Sequence, residues 1–439
     1  MSPAALPDAV SVAGGLAVTG GARIPGDKSI SHRALLIGAL ADGTSTVRGL
    51  SDGDDVARTE AAVRALGATV HRDGATVSIE GGRDRLHQAA GAVDCGNSGT
   101  SMRLLVGVVA GRPWQTSLTG DPSLSGRPMD RIAEPLGAMG ATVEGTGPTV
   151  TPPLIVHGGG LHGIEWAPPM ASAQVKAAIL FAGLEAEGET VVREAVGTRV
   201  HTEEMLAAAG ADIAVEPWGR GRSVRIRPSG LRPLDLDVPG DPSQAAFWVV
   251  AGCLCRDSRI VVERVYSGPD RLGFLGVLER MGAAIGIGAV ADGAADLHAE
   301  SSALTGTEVD AAEIPSLDEI PILAVAAAAA TGTTTFRDVG ELTVKESDRL
   351  ATTIALVEAL GAGARAAGGD LVVEGCGRPG AAPIRFDSRG DHRLAMAAIV
   401  GAVAGPGGRV GGVASVATSY PGFLADLDAL TGGGAWAAG

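Results

Sequence analysis

Long apolar runs recur along the chain, and each is opened by a short polar segment. The openings stand near Pro25 (PGDKSISHRALLIGAL), Cys95 (CGNSGTSMRLLVGVV), Pro169 (PMASAQVKAAILFAGL), Pro239 (PGDPSQAAFWVVAGCL), Pro315 (PSLDEIPILAVAAAAA) and Ser388 (SRGDHRLAMAAIVGAV). They are 70, 74, 70, 76 and 73 residues apart. The runs are apolar nearly all round, which predicts buried helices rather than amphipathic surface ones. After each run the pattern predicts a short Thr/Val strand, a second helix and a further strand. Five second helices end in a Gly-Ala pair: Gly67, Gly140, Gly210, Gly282 and Gly361 open these pairs. Glycine takes the left-handed conformation that stops a helix at little cost. The last copy is degenerate, ending in Thr431-Gly432-Gly433-Gly434.

A period of this length predicts one supersecondary unit used six times. The first and fourth copies match best, Ile24-Pro25-Gly26-Asp27 against Val238-Pro239-Gly240-Asp241. We therefore expect two lobes of three units. One comprises 24–238 and the other 1–23 with 239–439, with hinges near 20–26 and 236–241. The first twenty or so residues and the Gly/Ala tail after Leu430 are expected to be frayed.

Polar residues gather where the buried runs begin. A helix start carries unpaired N–H groups and a partial positive charge, so it suits an anion. These openings hold Lys28, Ser29 and Arg33; Asn97, Ser98, Gly99 and Thr100; Ser172, Ala173 and Gln174; Asp318 and Glu319; and His392 and Arg393. Outside them stand Arg127 in GDPSLSGRPM, Arg199 in GTRVHTEEM, and Lys345, Glu346 and Arg349 in VKESDRL.

Each motif has a plainer reading. Lys28–Arg33 reads also as a capped helix with a solvated basic face, and NSGT as a turn and cap. Asp318 reads also as a cap, and KESDR as a salt-bridged surface helix. Recurrence at one position of the repeat favours the functional reading. Lys345 and Arg349 are expected four apart on a helix start, where like charges are unfavourable until an acid or anion arrives.

Composition sharpens this. The 439 residues include 35 Lys plus Arg, of which only Lys28, Lys176 and Lys345 are lysines. Lysine is a compact, mobile point charge, and two of the three fall in polar motifs. Lys176 lies within a run and reads as structural. The net charge of −15 argues against a nucleic-acid or anionic-membrane binder. No apolar run approaches the roughly 18–20 residues that span a bilayer. The first basic residue is Arg23, so a secretory signal is not expected. Four cysteines without zinc spacing suit a reduced cytoplasm.

The motifs GDKSISHRALL, GNSGT, DPSLSGRPM, PMASAQVKAAILFAGL, SLDEIPILAVAAA, VKESDRL and DHRLAMA together resemble the EPSP synthase (3-phosphoshikimate 1-carboxyvinyltransferase) family, from about Gly20 to Phe423. The resemblance implies an α/β fold, a two-lobed inside-out barrel of six βαβαββ repeats with buried helices whose starts face the cleft between the lobes. It implies transfer of the enolpyruvyl group of phosphoenolpyruvate to shikimate 3-phosphate, with no metal or cofactor, by a monomer. By that resemblance Ser29, Arg33, Ser172, Ala173, Gln174 and Arg199 hold shikimate 3-phosphate, and Lys28 touches both substrates. Gly99, Arg127, Lys345, Arg349 and Arg393 hold phosphoenolpyruvate, with Asn97 shaping the loop and His392 beside Arg393. Asp318 is the implied base for the 5-hydroxyl, and Glu346 the acid–base partner at the methylene carbon.

Two positions depart from the resemblance. Thr418 and Glu341 stand where many members carry Lys and Asn. Glyphosate-tolerant members carry Ala at the position of Gly99, which implies that glyphosate fits this site. The related transferase acting on UDP-N-acetylglucosamine carries a Cys in the loop equivalent to Asp121–Arg127, and this loop has none. A relative using another cyclic polyol phosphate stays open on sequence alone. A non-catalytic anion binder on the same scaffold predicts loss of Asp318 or Glu346, and both are present.

Overall fold

The computed structural model describes residues 6–378 and 380–439. Six helices form where the polar openings end: α1 (Lys28–Leu40), α2 (Gly99–Ala110), α3 (Ala173–Gly183), α4 (Pro242–Leu254), α5 (Ile320–Ala329) and α6 (His392–Ala404). Nearly every residue in them is buried, as their all-round apolar pattern dictates. Small residues bring them close. A Cβ on Gly107 of α2 would stand 2.6 Å from the Cα of Ala178 in α3, closer than atoms pack, so only glycine lets these two backbones meet.

Among the described residues the strands form six four-stranded sheets under one pairing rule. In one of them, Glu165–Trp166 runs parallel to Thr190–Glu194, which pairs antiparallel with Gly221–Arg227, itself antiparallel to Asp212–Trp218. The class is α/β. The second helices stop at glycines in the left-handed conformation: φ is 111° at Gly67 and Gly140, 85° at Gly210, 89° at Gly282 and 83° at Gly361. Gly432, in the degenerate copy, does the same at 81°.

The repeat is not contiguous in three of the six sheets. Asp235–Asp237 joins Gly43–Arg48, Thr19–Ala22 joins Arg259–Tyr266, and Ala9–Val12 lies between Gly408–Gly411 and Trp436–Ala438. This corrects the expectation of frayed ends. Ala9–Val12, Thr19–Ala22 and Trp436–Ala438 are paired strands, held by ladder hydrogen bonds to their neighbours, while residues 1–5 of that expectation lie outside the described residues. The Trp436 indole also donates to the Leu424 carbonyl at 3.1 Å.

The chain divides into two compact units. One is Gly26–Val238; the other is the chain up to Pro25 with Pro239–Gly439. The first division falls at Pro25/Gly26, two residues beyond the 23/24 expected. Packing gives the reason. Gly26 lies against Gly49 and Val238, while Ile24 lies against Gly240. The second unit's core includes Trp248 stacked on Phe423 at 4.8 Å, with the indole donating to the Tyr420 hydroxyl at 3.0 Å.

Candidate active site

The helix starts differ in how they are capped. Asp27, Asp241 and Asp391 cap α1, α4 and α6, and Ser98 and Ser172 cap α2 and α3, each accepting from a backbone N–H of the first turn. An aspartate cap already answers the positive helix end, whereas a serine cap leaves that charge for a ligand. The α5 start has no side-chain cap. Its N-cap position is Glu319, so Asp318 is not a cap residue. Glu319 instead accepts from Ser243 Oγ at 2.5 Å and Ser316 Oγ at 3.0 Å.

In the unit Gly26–Val238, the α1 start holds Lys28, whose ammonium lies 2.9 Å from Asp55 Oδ2. Ser29, next along, accepts from Arg199 Nη1 at 2.9 Å on its hydroxyl and from Arg33 Nη1 at 2.9 Å on its carbonyl. Arg33 Nε donates to Thr202 Oγ1 at 2.6 Å. His32, between them, is neutral. Burial, then the charges of Lys28 and Arg33, hold its pKa well below the ordinary value, and Nδ1 lies 2.7 Å from the Thr59 hydroxyl.

The starts of α2 and α3 meet in a second group. Gln174 donates to Thr100 Oγ1 and accepts from Arg103 Nη1, both at 2.8 Å. Arg127 donates to Asn97 Oδ1 at 2.8 Å, and Asn97 donates to Asp121 Oδ2 at 2.7 Å. A Cβ on Gly99 would stand 2.8 Å from Arg103 Nη1 and 3.2 Å from Arg127 Nη1. Two guanidinium groups therefore converge on a bare backbone at a serine-capped helix start. Cys95, at the head of this loop, takes no part. Burial, then the charge of Asp94, pushes its thiol up to about 12, so it stays protonated.

In the other unit the functional candidates converge on Arg349, whose side chain is fully buried. Its guanidinium reaches Glu346 Oε2 at 2.5 Å, Asp391 Oδ2 at 2.9 Å and Asp318 Oδ1 at 3.3 Å. Arg393 Nη2 lies 3.2 Å from Asp318 Oδ2. His392 and Arg393 open α6, and Arg393 N–H donates to Asp391 Oδ1 at 3.0 Å. Burial works against the charge of Arg349, but the carboxylates of Glu346, Asp391 and Asp318 outweigh it and raise its pKa further. Asp391 is the converse case. Burial works against its charge, but Arg349 and then His392 hold it below the usual carboxylate range. Leu317, buried and just before Asp318, has φ of 57°. A branched residue there is strained, as segments that aim a functional side chain often are.

Lys345 differs from expectation. The helix that follows begins at Arg349 with Asp348 as its cap, so Lys345 stands before it and the two cations do not share a helix face. Asp348 Oδ1 accepts from Ala351 N–H at 3.0 Å, while the Ser347 hydroxyl donates to Asp391 at 3.1 Å, which leaves Asp348 as the cap and sets the start later. The Lys345 ammonium lies 3.4 Å from Glu341 instead. The sequence reading missed Arg103, Asp55, Asp121, Thr202 and Asp391. Arg103 carried a signal, since it lies one helical turn after Gly99 on α2.

A profile of the EPSP synthase (3-phosphoshikimate 1-carboxyvinyltransferase) family matches residues 12–427. The chain belongs to this family. Among its relatives, the 3-phosphoshikimate 1-carboxyvinyltransferase of Anaeromyxobacter sp. (strain Fw109-5) is 45% identical, covering 95% of this chain and 97% of its own. That of Shouchella clausii (strain KSM-K16) is 41% identical over 93% and 95%. Among solved structures, EPSP synthase from Acinetobacter baumannii aligns with a TM-score of 0.85 at 38% identity, covering 97% of this chain and 98% of that one. The enolpyruvyl transferase NikO from Streptomyces tendae shares the fold at TM-score 0.77 and 21% identity, covering 97% and 98%.

Proposed function

We propose that this chain is a working 3-phosphoshikimate 1-carboxyvinyltransferase, EC 2.5.1.19. It joins phosphoenolpyruvate to the 5-hydroxyl of shikimate 3-phosphate and releases phosphate, a step of aromatic amino-acid synthesis. Full-length relatives of that name support the reading. The observation that carries it is the Arg349 cluster, where Asp318 and Glu346 bind one guanidinium through separate carboxylates.

The reaction needs two proton transfers and a clamp on anions. The 5-hydroxyl oxygen attacks the carbon bearing the enol phosphate while Asp318 takes its proton. The methylene carbon gains a proton from the acid form of Glu346, giving a tetrahedral adduct. Loss of phosphate, which carries off the proton taken by Asp318, with return of the methyl proton to Glu346, leaves the enol ether and both acids as they began. Each such transfer contributes about 10²–10⁴-fold. Arg349 and Arg393 hold Asp318 in place and meet phosphoenolpyruvate with Lys345, Arg127, Gly99 and Asn97. His392 supports this end of α6. Lys28 touches both substrates and joins Asp318 and Glu346 as a catalytic group, and Ser29, Arg33, Ser172, Ala173, Gln174 and Arg199 take shikimate 3-phosphate.

The partners are these two small molecules, and the enzyme works as a monomer in the cytoplasm, without nucleic acid, membrane or cofactor. Among the described residues no helix is long and apolar enough to cross a membrane.

The test is phosphate release from phosphoenolpyruvate plus shikimate 3-phosphate. Wild type is expected to turn over, and Asp318→Asn to lose about 10²–10⁴-fold in kcat. A wild type inactive with this pair rejects the assignment. An Asp318→Asn variant at full rate removes Asp318 as the base.

A further inference from the structure

Lys176 is fully buried in α3, and its ammonium is shared by two buried acids, Glu194 Oε2 at 2.8 Å and Glu203 Oε1 at 2.6 Å. Glu194 ends the strand Thr190–Glu194, and Glu203 lies in the first turn of the helix His201–Ala208. These two acids bracket the segment that carries Arg199. Thr198 donates its hydroxyl to Glu194 Oε1. Arg199 then reaches Ser29, and Thr202, just before Glu203, accepts from Arg33. Arg222 Nε approaches Glu194 Oε2 at 3.9 Å. Glu203 Oε2 is buried with no hydrogen-bond partner among the described residues. The Lys176 ion pair is thus the main hold on that acid.

We propose that Lys176 is a positioning residue for the phosphate pocket, pinning both ends of residues 194–203 so that Arg199 and Thr202 meet Ser29 and Arg33. This rests on the reading that those residues hold the phosphate of shikimate 3-phosphate. Without the ammonium, two acids out of reach of water face each other, and one must turn outward or take a proton. The irregular stretch from Ala195 to Val200 absorbs that movement, and it carries Arg199 with it. Lys176 touches no substrate, so its removal acts on one substrate's binding and not on the proton transfers.

The experiment is steady-state kinetics of Lys176→Met, Glu203→Gln, Arg199→Ala and the double variant Lys176→Met/Arg199→Ala, with both substrates varied. In Lys176→Met the KM for shikimate 3-phosphate is expected to rise about tenfold or more, with kcat and the KM for phosphoenolpyruvate within about twofold. Glu203→Gln keeps the shape and removes one charge, so it shifts the same KM about threefold. Arg199→Ala alone raises that KM about tenfold and adds less than about threefold once Lys176 is gone, since both act through one contact. Equal drift of kcat and both KM values, no change in either, or fully multiplicative effects would overturn the proposal. If Lys176→Met does not fold, the selective KM change in Glu203→Gln decides by the same criterion. A wild type without turnover overturns the functional reading and this inference with it. Wild-type turnover with an unselective variant overturns this inference alone.

Discussion

The two units hold their functional arginines in opposite ways. Arg349 is fully buried and meets three carboxylates, from Asp318, Glu346 and Asp391. Arg127 is partly exposed and donates to an amide and a hydroxyl, those of Asn97 and Ser123. The first guanidinium is complete without a ligand, and two of its acids are the proposed proton carriers. It holds the Asp391 carboxylate out of water and aims those of Asp318 and Glu346, which stay partly open to solvent. The second keeps its positive charge largely uncompensated beside a serine-capped helix start, which favours the arrival of an anion. On the proposed reading, one cation organises the acids and the other awaits an anionic substrate.

Replacing the two arginines is the strongest way to break this contrast. In Arg349→Met, three acids lose their shared partner, and breaking a buried ion pair from one side costs about 3–5 kcal/mol of stability. Activity is expected to fall by more than about 10³-fold, because charge stabilisation and the aim of Asp318 go together. Arg127→Met leaves no acid stranded, so its stability changes by less than about 1 kcal/mol while the KM for phosphoenolpyruvate rises. Urea denaturation alongside steady-state kinetics separates the two. Equal stability losses in both variants would show that the contrast has no energetic content.

A smaller effect tests the buried cluster through pH. Asp391 has a native pKa held below the usual carboxylate range by Arg349 and His392 against the opposing effect of burial. Its contribution to stability is therefore complete above the unfolded value of about 3.9 and is lost as pH falls through that value toward the lowered native one. Asp391→Asn keeps a residue able to cap α6 and removes the titration. Denaturation at a series of pH values is expected to show a constant gap between wild type and variant from about pH 8 to pH 5, closing below about pH 4. A gap that opens as pH falls would contradict the assignment of Asp391 as the charged partner of Arg349.

Much of this was legible in the chain because it is written locally. The six helix starts, the all-round apolar runs and the Gly-Ala stops are properties of consecutive residues, and they marked the repeat and its period. The strand exchanges were not legible. Nothing in Asp235–Asp237 says that it will pair with Gly43–Arg48, since three residues carry no register and the pairing is decided by where the repeat closes. The same limit hid Asp391 and Asp55. Asp391 caps α6 and Asp55 lies in the first turn of the helix Asp54–Ala65, and the importance of each comes from a cation far along the sequence, Arg349 42 residues before one and Lys28 27 residues before the other. Lys176 read as structural for the same reason, because its two glutamates lie 18 and 27 residues later. Motif spacing pointed to the groups proposed to meet substrate, and it was silent on the groups that hold those in place.

The finest test lies at Gly99, where the uncompensated side of the comparison can be crowded without touching a charge. Its φ is not in the left-handed region, so alanine is allowed there, and its Cβ meets the far ends of two flexible side chains, Arg103 at 2.8 Å and Arg127 at 3.2 Å. Both guanidinium groups must give by a few tenths of an ångström. The fold is expected to be untouched in Gly99→Ala, and alanine is the better helix former. The KM for phosphoenolpyruvate is expected to rise up to about tenfold, less than the roughly hundredfold that follows a 1 Å misplacement, with kcat little changed. Glyphosate, which we expect to compete for this place, should weaken as an inhibitor by a larger factor than phosphoenolpyruvate loses. The substrate can recover affinity as it moves toward the adduct, and a static inhibitor cannot. Inhibition measured at several phosphoenolpyruvate concentrations checks both numbers. Equal weakening of the two would mean that Arg103 and Arg127 simply bind anions, with no shape imposed by the bare backbone of Gly99.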